Sequence, residues 1–324
     1  MNTFLKEKYP YLINFFESLF NSEDKGIPNS IILYGSDILS QYIIALDIAK
    51  QANCIGTKKE DCNCINCTWI NANKHPAVLT ISKINNKSDN SKTVISKEQV
   101  DDIMNLLINS SEYHRFFIFC DADIKTLSDT EKANLTILES VGIKSPESNS
   151  EEQKWYPKGI TKACFQEVAA NSLLKSIEEP PERVTFIFLT EDKNDLIQTI
   201  ISRSQAFFVP SFNKKRINTD FLNESLANYP NFSPTDALRF STKMLEIMAI
   251  NSLDATEILD SIQIYLKDMI LANNENKIFI QYALKSIEKA EESKKMLLSH
   301  IKDQTVLEDF SLSLLNLNEN LNRT

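Results

Sequence analysis

Five short runs of the chain are apolar almost from end to end: NSIILYG at 29–35, AVLTIS at 77–82, FFIFCD at 116–121, VTFIFLT at 184–190 and SQAFFVP at 204–210. A strand with one wet face alternates apolar and polar residues, whereas a strand covered on both faces does not. Between the runs lie segments with apolar residues every three or four positions, LSQYIIALDIAKQA, SKEQVDDIMNLLINSS and FQEVAANSLLKSIEE. Buried strands alternating with helices predict a parallel sheet, so residues 1–210 read as one α/β domain.

After Pro210 no convincing strand remains, and long amphipathic stretches such as ATEILDSIQIYLKDMILA and IFIQYALKSIEKAEESKKMLLSHI predict an all-helical C-terminal part. In the second of these, Ile280, Leu284, Ile287 and Ala290 mark the stripe a helix would bury. One region breaks the α/β rhythm. Residues 128–165 contain the polar, Ser- and Glu-rich stretch SVGIKSPESNSEEQKWYPKG, which predicts a mobile insertion loop without chemistry of its own.

A length of 324 residues suffices for two or three domains, and 42% hydrophobic with 24% charged residues is ordinary globular composition. No apolar run reaches the eighteen or so residues that span a bilayer. The N-terminal MNTFLKEKYPYLINFFESLF predicts an amphipathic helix rather than a signal peptide, so a cytoplasmic location is expected. The net charge of −9 argues against a general electrostatic grip on nucleic acid and points to partner proteins. Only five glycines are present, with no GxGxxG among them, and the three histidines, His75, His114 and His300, form no metalloenzyme pattern.

Four cysteines cluster in CIGTKKEDCNCINC: Cys54, Cys62, Cys64 and Cys67. Four thiolates at short spacings meet the tetrahedral preference of zinc, and in a reducing compartment metal binding is the first expectation. The Cys62-x-Cys64 spacing is tighter than usual, which leaves reduced loop cysteines or a redox pair as the alternative. With no open position, such a zinc site is structural and does not activate water.

The run ILYGSDILSQY sits where a phosphate loop, G-x-x-x-x-G-K-[ST], would follow the first strand. Gly35 is in place, but Ser40 stands at the second glycine, Gln41 at the lysine and Tyr42 at the hydroxyl position. That loop wraps backbone N–H groups around phosphates, sets an ammonium on the β- and γ-phosphates and a hydroxyl on Mg²⁺. Little of that chemistry survives here.

Taken in order, these features resemble the bacterial DNA polymerase III clamp-loader subunits, the δ′ and γ/τ family. The resemblance rests on the loop at 35–42, the four-cysteine insertion, His75-Pro76 before a strand, VDDIMNLL before a strand ending at Asp121, AANSLLKSIEEPPERVTFIFLT, and Ser202-Arg203-Ser204 in place of a Ser-Arg-Cys motif. It implies an AAA+-type five-stranded parallel sheet with a zinc module at 54–67, a short helical lid at 211–240 and a helical collar at 241–324 that oligomerises. It implies partners as well: γ/τ and δ subunits, the sliding clamp, and primer-template DNA through the assembly, with no membrane. An active member would carry Asp-Glu at the strand end, where this chain has Asp121-Ala122, and the degenerate pair matches δ′ rather than γ/τ. The resemblance assigns Arg203 as an arginine finger reaching a neighbour's ATP in trans; its structural alternative is an arginine that caps a strand end and pairs with a surface carboxylate. Two other functions compete. A working γ/τ-type ATPase would need a cation to replace the loop lysine, and Lys50 is badly placed for it. A zinc-module nucleic-acid binder would need more basic and aromatic surroundings than TKKED, NANK and Trp69 provide.

Overall fold

The computed structural model describes residues 3–21, 26–57, 62–83, 94–108, 110–125, 129–144, 154–212, 220–273, 276–299 and 301–321. The chain forms two compact units, Met1–Val209 and Pro210–Thr324.

The first unit begins with helices α1 (Thr3–Lys8) and α2 (Pro10–Asn21), where the sequence predicted one. Pro10 causes the division: it lacks an N–H to continue a helix but suits the first position of a new one. Next come β1 (Ser30–Tyr34), α3 (Ile38–Asn53), α4 (Ile65–Asn71), β2 (Val78–Ile81), α5 (Lys97–Ile108) and β3 (Arg115–Phe119). Strand β4 (Asp121–Lys125), helix α6 (Asp129–Ser140) and strand β5 (Lys154–Lys158) precede α7 (Glu167–Glu178), β6 (Val184–Thr190), α8 (Gln198–Ile201) and β7 (Gln205–Phe208).

The five expected strands form one sheet in the order β2-β3-β6-β1-β7, every neighbouring pair parallel. This is the AAA+-type arrangement, with helices flanking the sheet. All seven residues of the central β6 are buried, which is why its sequence shows no alternation. Its phenylalanines stack on those of β3, Phe117 on Phe186 with centroids 5.5 Å apart and Phe119 on Phe188 at 4.9 Å.

The region expected as a mobile loop is substantially structured. Strands β4 and β5 pair antiparallel, with Asp121 opposite Lys158 and Ile124 opposite Trp155, and α6 lies between them. Trp155 is buried and packs on Tyr42 with centroids 5.1 Å apart. One large aromatic anchors a stretch whose composition otherwise predicts no core; residues 145–153 lie outside the described part. The run through Asp121 also divides. Strand β3 stops at Phe119, and Asp121 opens β4 instead of ending β3.

The second unit is helical: α9 (Asp220–Ser225), α10 (Pro234–Asn251), α11 (Ala255–Ala272), α12 (Lys277–Leu298) and α13 (Asp303–Leu321). Reciprocal capping boxes, Ser233 with Asp236 and Asp254 with Glu257, start α10 and α11. The buried stripe of α12 is Phe279, Tyr282, Ala283, Ser286, Ile287, Ala290 and Ser293. Ile287 and Ala290 of the predicted stripe belong to it, whereas Ile280 and Leu284 lie at its half-buried margin. Helix α10 runs without a break through residue 240, where the sequence divided lid from collar, and residues 213–219 of that lid lie outside the described part. Among the described residues no helix is long and apolar enough to cross a membrane.

Candidate functional site

The turn from β1 into α3 lies at the carboxyl end of the sheet, where open α/β proteins bind their ligands. Gly35 adopts φ +130°, and a Cβ there would lie 2.4 Å from the carbonyl oxygen of Val209, so only glycine fits. Two residues on, Asp37 caps α3. Its Oδ1 accepts the backbone N–H of Ser40 at 2.9 Å, and its Oδ2 accepts the hydroxyls of Ser40 and Tyr9, each at 2.8 Å. Lys8, arriving from α1, forms an ion pair with the same carboxylate and reaches Ser40 Oγ at 3.3 Å. Burial alone would raise the Asp37 carboxyl, but the Lys8 ammonium and the Ser40 donors outweigh it and hold the group below the usual carboxylate range. A helix N-terminus after a glycine turn is a place for an anion. Here the anion is the chain's own.

Gln41, at the position of the loop lysine, is fully buried and donates through Nε2 to the carbonyls of Gly35 at 2.9 Å and Thr190 at 3.2 Å. It ties the turn to the end of β6. Tyr42 turns to the insertion, donating to Asn73 Oδ1 at 2.8 Å, with its hydroxyl 3.2 Å from Thr80 Oγ1. The structure thus gathers Gly35, Ser40 and Gln41 around the turn and removes Tyr42 from it. Sequence reasoning missed Asp37, Lys8 and Tyr9. Aspartate just ahead of a helical run was a capping signal, whereas the Lys8 and Tyr9 contacts arise from tertiary packing.

Asp121 is buried and pairs with Lys83, Nζ to Oδ2 at 2.8 Å, while the N–H of Ala122 donates to Oδ1 at 2.9 Å. Ala122, at the glutamate position, is fully buried opposite Pro157. Its methyl can orient no water.

Arg203 follows α8 and precedes β7. Register places Gln205 opposite Ile31 and Phe208 opposite Tyr34, so Arg203 sits at the amino end of the sheet and Gly35 at the carboxyl end. About 10 Å or more of strand separates them. The guanidinium is partly exposed, with Nε donating to Glu178 Oε1 at 2.6 Å and Nη1 donating to the Thr199 carbonyl and Ser202 Oγ, each at 3.0 Å. Ser204, at the cysteine position of the motif, donates to the Ile200 carbonyl at 2.7 Å and meets Ser30 Oγ at 2.6 Å, which fastens the arginine's stem to β1.

Glu178 ends α7, and the two prolines behind it turn the chain to β6 through Arg183, at φ +58°. Beside this turn the His114 ring stacks on Phe116 and its Nε2 lies 2.8 Å from Thr185 Oγ1. Burial first, and the Arg183 charge second, push His114 from 6.5 down to about 4. The unfolded chain therefore binds a proton that the folded one refuses, and stability falls as pH drops from about 6.5 toward 4, by roughly 3 kcal/mol in all. Urea midpoints of the native chain should decline over that window, and His114→Asn should flatten the decline; parallel curves would show that His114 does not cause it. His75 instead supports the start of β2, where its Nδ1 accepts the N–H of Ala77 at 3.2 Å and its ring packs edge-on to Trp69 and Tyr113. His300 lies outside the described residues.

The four cysteines converge at the other end of α3. Cys54 follows its last turn, Cys64 caps α4, and Cys67 is buried within α4. The Sγ of Cys54 lies 3.5 Å from that of Cys62 and 3.9 Å from that of Cys64, and all four sulfurs fall within 4.8 Å of one another. A tetrahedral ion with bonds of about 2.3 Å holds its sulfurs about 3.8 Å apart, so this donor set fits zinc. Gly56 permits the approach, because a Cβ there would stand 2.6 Å from Cys62 Sγ. The Cys64 backbone N–H lowers the Cys62 thiol to about 6, whereas burial and its neighbours' charge push Cys67 up. Asn53 anchors the module: its carbonyl accepts Asn66 Nδ2 at 2.7 Å, and its amide bridges both backbone groups of His114. The sixteen residues of α3, about 24 Å of helix, separate it from the Gly35 turn.

A family model described as DNA polymerase III, delta subunit, matches residues 162–213, the segment that holds α7, Glu178 and Arg203. The γ/τ subunit of DNA polymerase III from Mycoplasma pneumoniae is 25% identical over 241 residues, which is 73% of this chain and 28% of that one. The δ′ subunit from Haemophilus influenzae is 22% identical over 201 residues, 61% of this chain and 48% of that one. The chain thus spans less than half the length of these relatives. A solved γ subunit-related protein from Thermotoga maritima is 14% identical with a TM-score of 0.35, covering 93% of this chain and 98% of that one, a likeness too distant to bear on the fold. The matched segment contains both the EEPP turn and Ser-Arg-Ser, and the relatives extend the similarity over most of the chain: what it is similar to throughout is the clamp-loader subunits of DNA polymerase III, of both γ/τ and δ′ type.

Proposed function

We propose that this chain is the non-catalytic, δ′-type subunit of the replicative clamp loader. The observation that carries the reading is the Asp37 carboxylate at the N-terminus of α3, neutralised by Lys8, with the Gln41 amide fastened to Gly35 and Thr190. A nucleotide phosphate brought there would meet a fixed negative charge and no loop lysine. The Asp121–Lys83 pair and the Ala122 methyl support the same conclusion for the Mg²⁺ and attacking-water side of the reaction.

Arg203 is the surviving functional group. Its place at the opposite end of the sheet from Gly35 keeps it from any phosphate in its own turn, which favours action in trans. In this reading Arg203 stabilises charge on the γ-phosphoryl of ATP held by an adjacent γ/τ subunit. The C-terminal helices join γ/τ and δ in a ring, with α9 as an abridged lid and the collar beginning at α10. The ring places the sliding clamp on primed DNA. The cysteine module, as a structural zinc site, ties α3 to α4.

Steady-state ATP turnover tests the proposal. The chain alone should be silent and should raise the activity of a mixture of γ/τ and δ subunits with clamp and primed DNA. Turnover by the chain alone, at constant specific activity through purification, would establish the γ/τ-type reading instead. That reading requires Lys8 to leave Asp37 and serve the phosphates.

A further inference from the structure

Three of the five N–H donors of Arg203 make hydrogen bonds within its own chain, Nε to Glu178 Oε1 at 2.6 Å and Nη1 to Thr199 O and Ser202 Oγ, each at 3.0 Å, and Nη2 lies 2.6 Å from the same Glu178 oxygen as an ion pair. A guanidinium so occupied cannot present its Nε/Nη fork to a phosphate until the Glu178 contact is exchanged. The Thr199 and Ser202 contacts belong to the arginine's own turn. The Glu178 contact is long-range, joining the end of α7 to the start of β7 across twenty-five positions of sequence. It is also the one with full opposite charge.

We infer that Glu178 is a parking partner for Arg203, holding the guanidinium in a retracted pose until a neighbour's polyphosphate displaces the carboxylate. The inference rests on the reading of Arg203 as a trans-acting finger. Charge and exposure make the exchange feasible in both directions. The two side chains are 36% and 45% exposed, and an ion pair at such a surface is weak and screened. A triphosphate offers the fork a bidentate acceptor of higher charge, whereas Glu178 meets it through the single oxygen Oε1. Glu178 therefore keeps the long arginine ordered in the free chain, and its charge opposes docking only as strongly as a surface pair does. It is a positioning residue, acting through Arg203 without touching nucleotide.

The test titrates this chain into a fixed mixture of γ/τ and δ subunits with ATP, clamp and primed DNA, for the native chain, Glu178→Ala, Arg203→Ala and the double variant. Removing Glu178 should lower the concentration giving half-maximal stimulation about 1.5- to 5-fold, the weight of one exposed ion pair, at an unchanged plateau. The double variant should match Arg203→Ala. An unchanged half-maximal concentration with Glu178→Ala, or a reduced plateau, overturns the parking role while leaving the finger intact. Full stimulation by Arg203→Ala removes the finger reading itself. A readout on the isolated chain is independent of turnover. The Arg203 Nε–H resonance should exchange slowly in the native chain, faster in Glu178→Ala, and at an intermediate rate in Glu178→Gln, which keeps an acceptor without the charge. Equal rates in all three would show that the pair does not form in solution.

Discussion

Arg203→Ala is expected to slow ATP turnover at the site this chain faces by about 10³-fold or more, while the ring still assembles. The size of the effect follows from what a guanidinium does at a phosphoryl transition state, where charge spreads over three oxygens and a planar fork meets two of them. The residue is partly exposed, and its backbone is held by α8 and by Ser204, so truncation should leave the fold unchanged. Size-exclusion chromatography of the mixture separates lost assembly from lost chemistry. Arg203→Lys should not restore the rate, since a point charge on a flexible stem lacks the fork. An unchanged rate in an intact ring would leave Arg203 as a surface ion-pair residue.

The second large effect concerns the cysteines. Purified under reducing conditions, the chain should carry one equivalent of zinc, and Cys64→Ser or a strong chelator should remove it. Apparent binding energies for four-ligand structural zinc are about 10–16 kcal/mol in small domains. Most of that would be lost locally, because α3 has a buried seat in the larger core while the 54–71 segment is tied to its surroundings by single contacts such as Asn66 to Asn53 and Trp69 to the His75 ring. Limited proteolysis should therefore cut first within 54–71 in the stripped protein and spare that segment in the loaded one. Clearly substoichiometric metal in fresh protein would refute the four-thiolate site. The same substitution at Cys120, buried in the sheet apart from the cluster, should leave metal content untouched.

Sequence and structure agree where one physical signal dominates. The central strands β1, β3 and β6 are legible because burial on both faces leaves them almost wholly apolar, and α11 is legible to the residue because its apolar period runs unbroken from a capping box. The insertion was illegible for the converse reason. Strands β4 and β5 satisfy each other's backbone and have one large anchor, Trp155, so their sequence looks like loop. The α12 stripe was legible in part: Ile287 and Ala290 lie on it, Ile280 and Leu284 fall at its margin, and the buried Ser286 and Ser293 carry no apolar signal. At the candidate site, the missing lysine and hydroxyl could be read directly from Gln41 and Tyr42. What replaced them could not. The Lys8 and Tyr9 partners of Asp37 are set by how α1 packs, and the Glu178 partner of Arg203 by where two separate motifs end up in space.

The Tyr42–Trp155 contact has a historical consequence. Restoring lysine at 41 and a small hydroxyl residue at 42 would rewrite the letters of a phosphate loop, yet it would leave Trp155 without its aromatic neighbour and strip the turn of the Gln41 amide that ties it to β6. It would leave Asp37 in possession of the helix end as well. Each reversion alone removes a packing or hydrogen-bond contact without completing a phosphate site. If the chain is the non-catalytic subunit proposed above, its descendants face a one-way door: several coupled changes would be needed at once, and each first breaks a contact that the fold now uses.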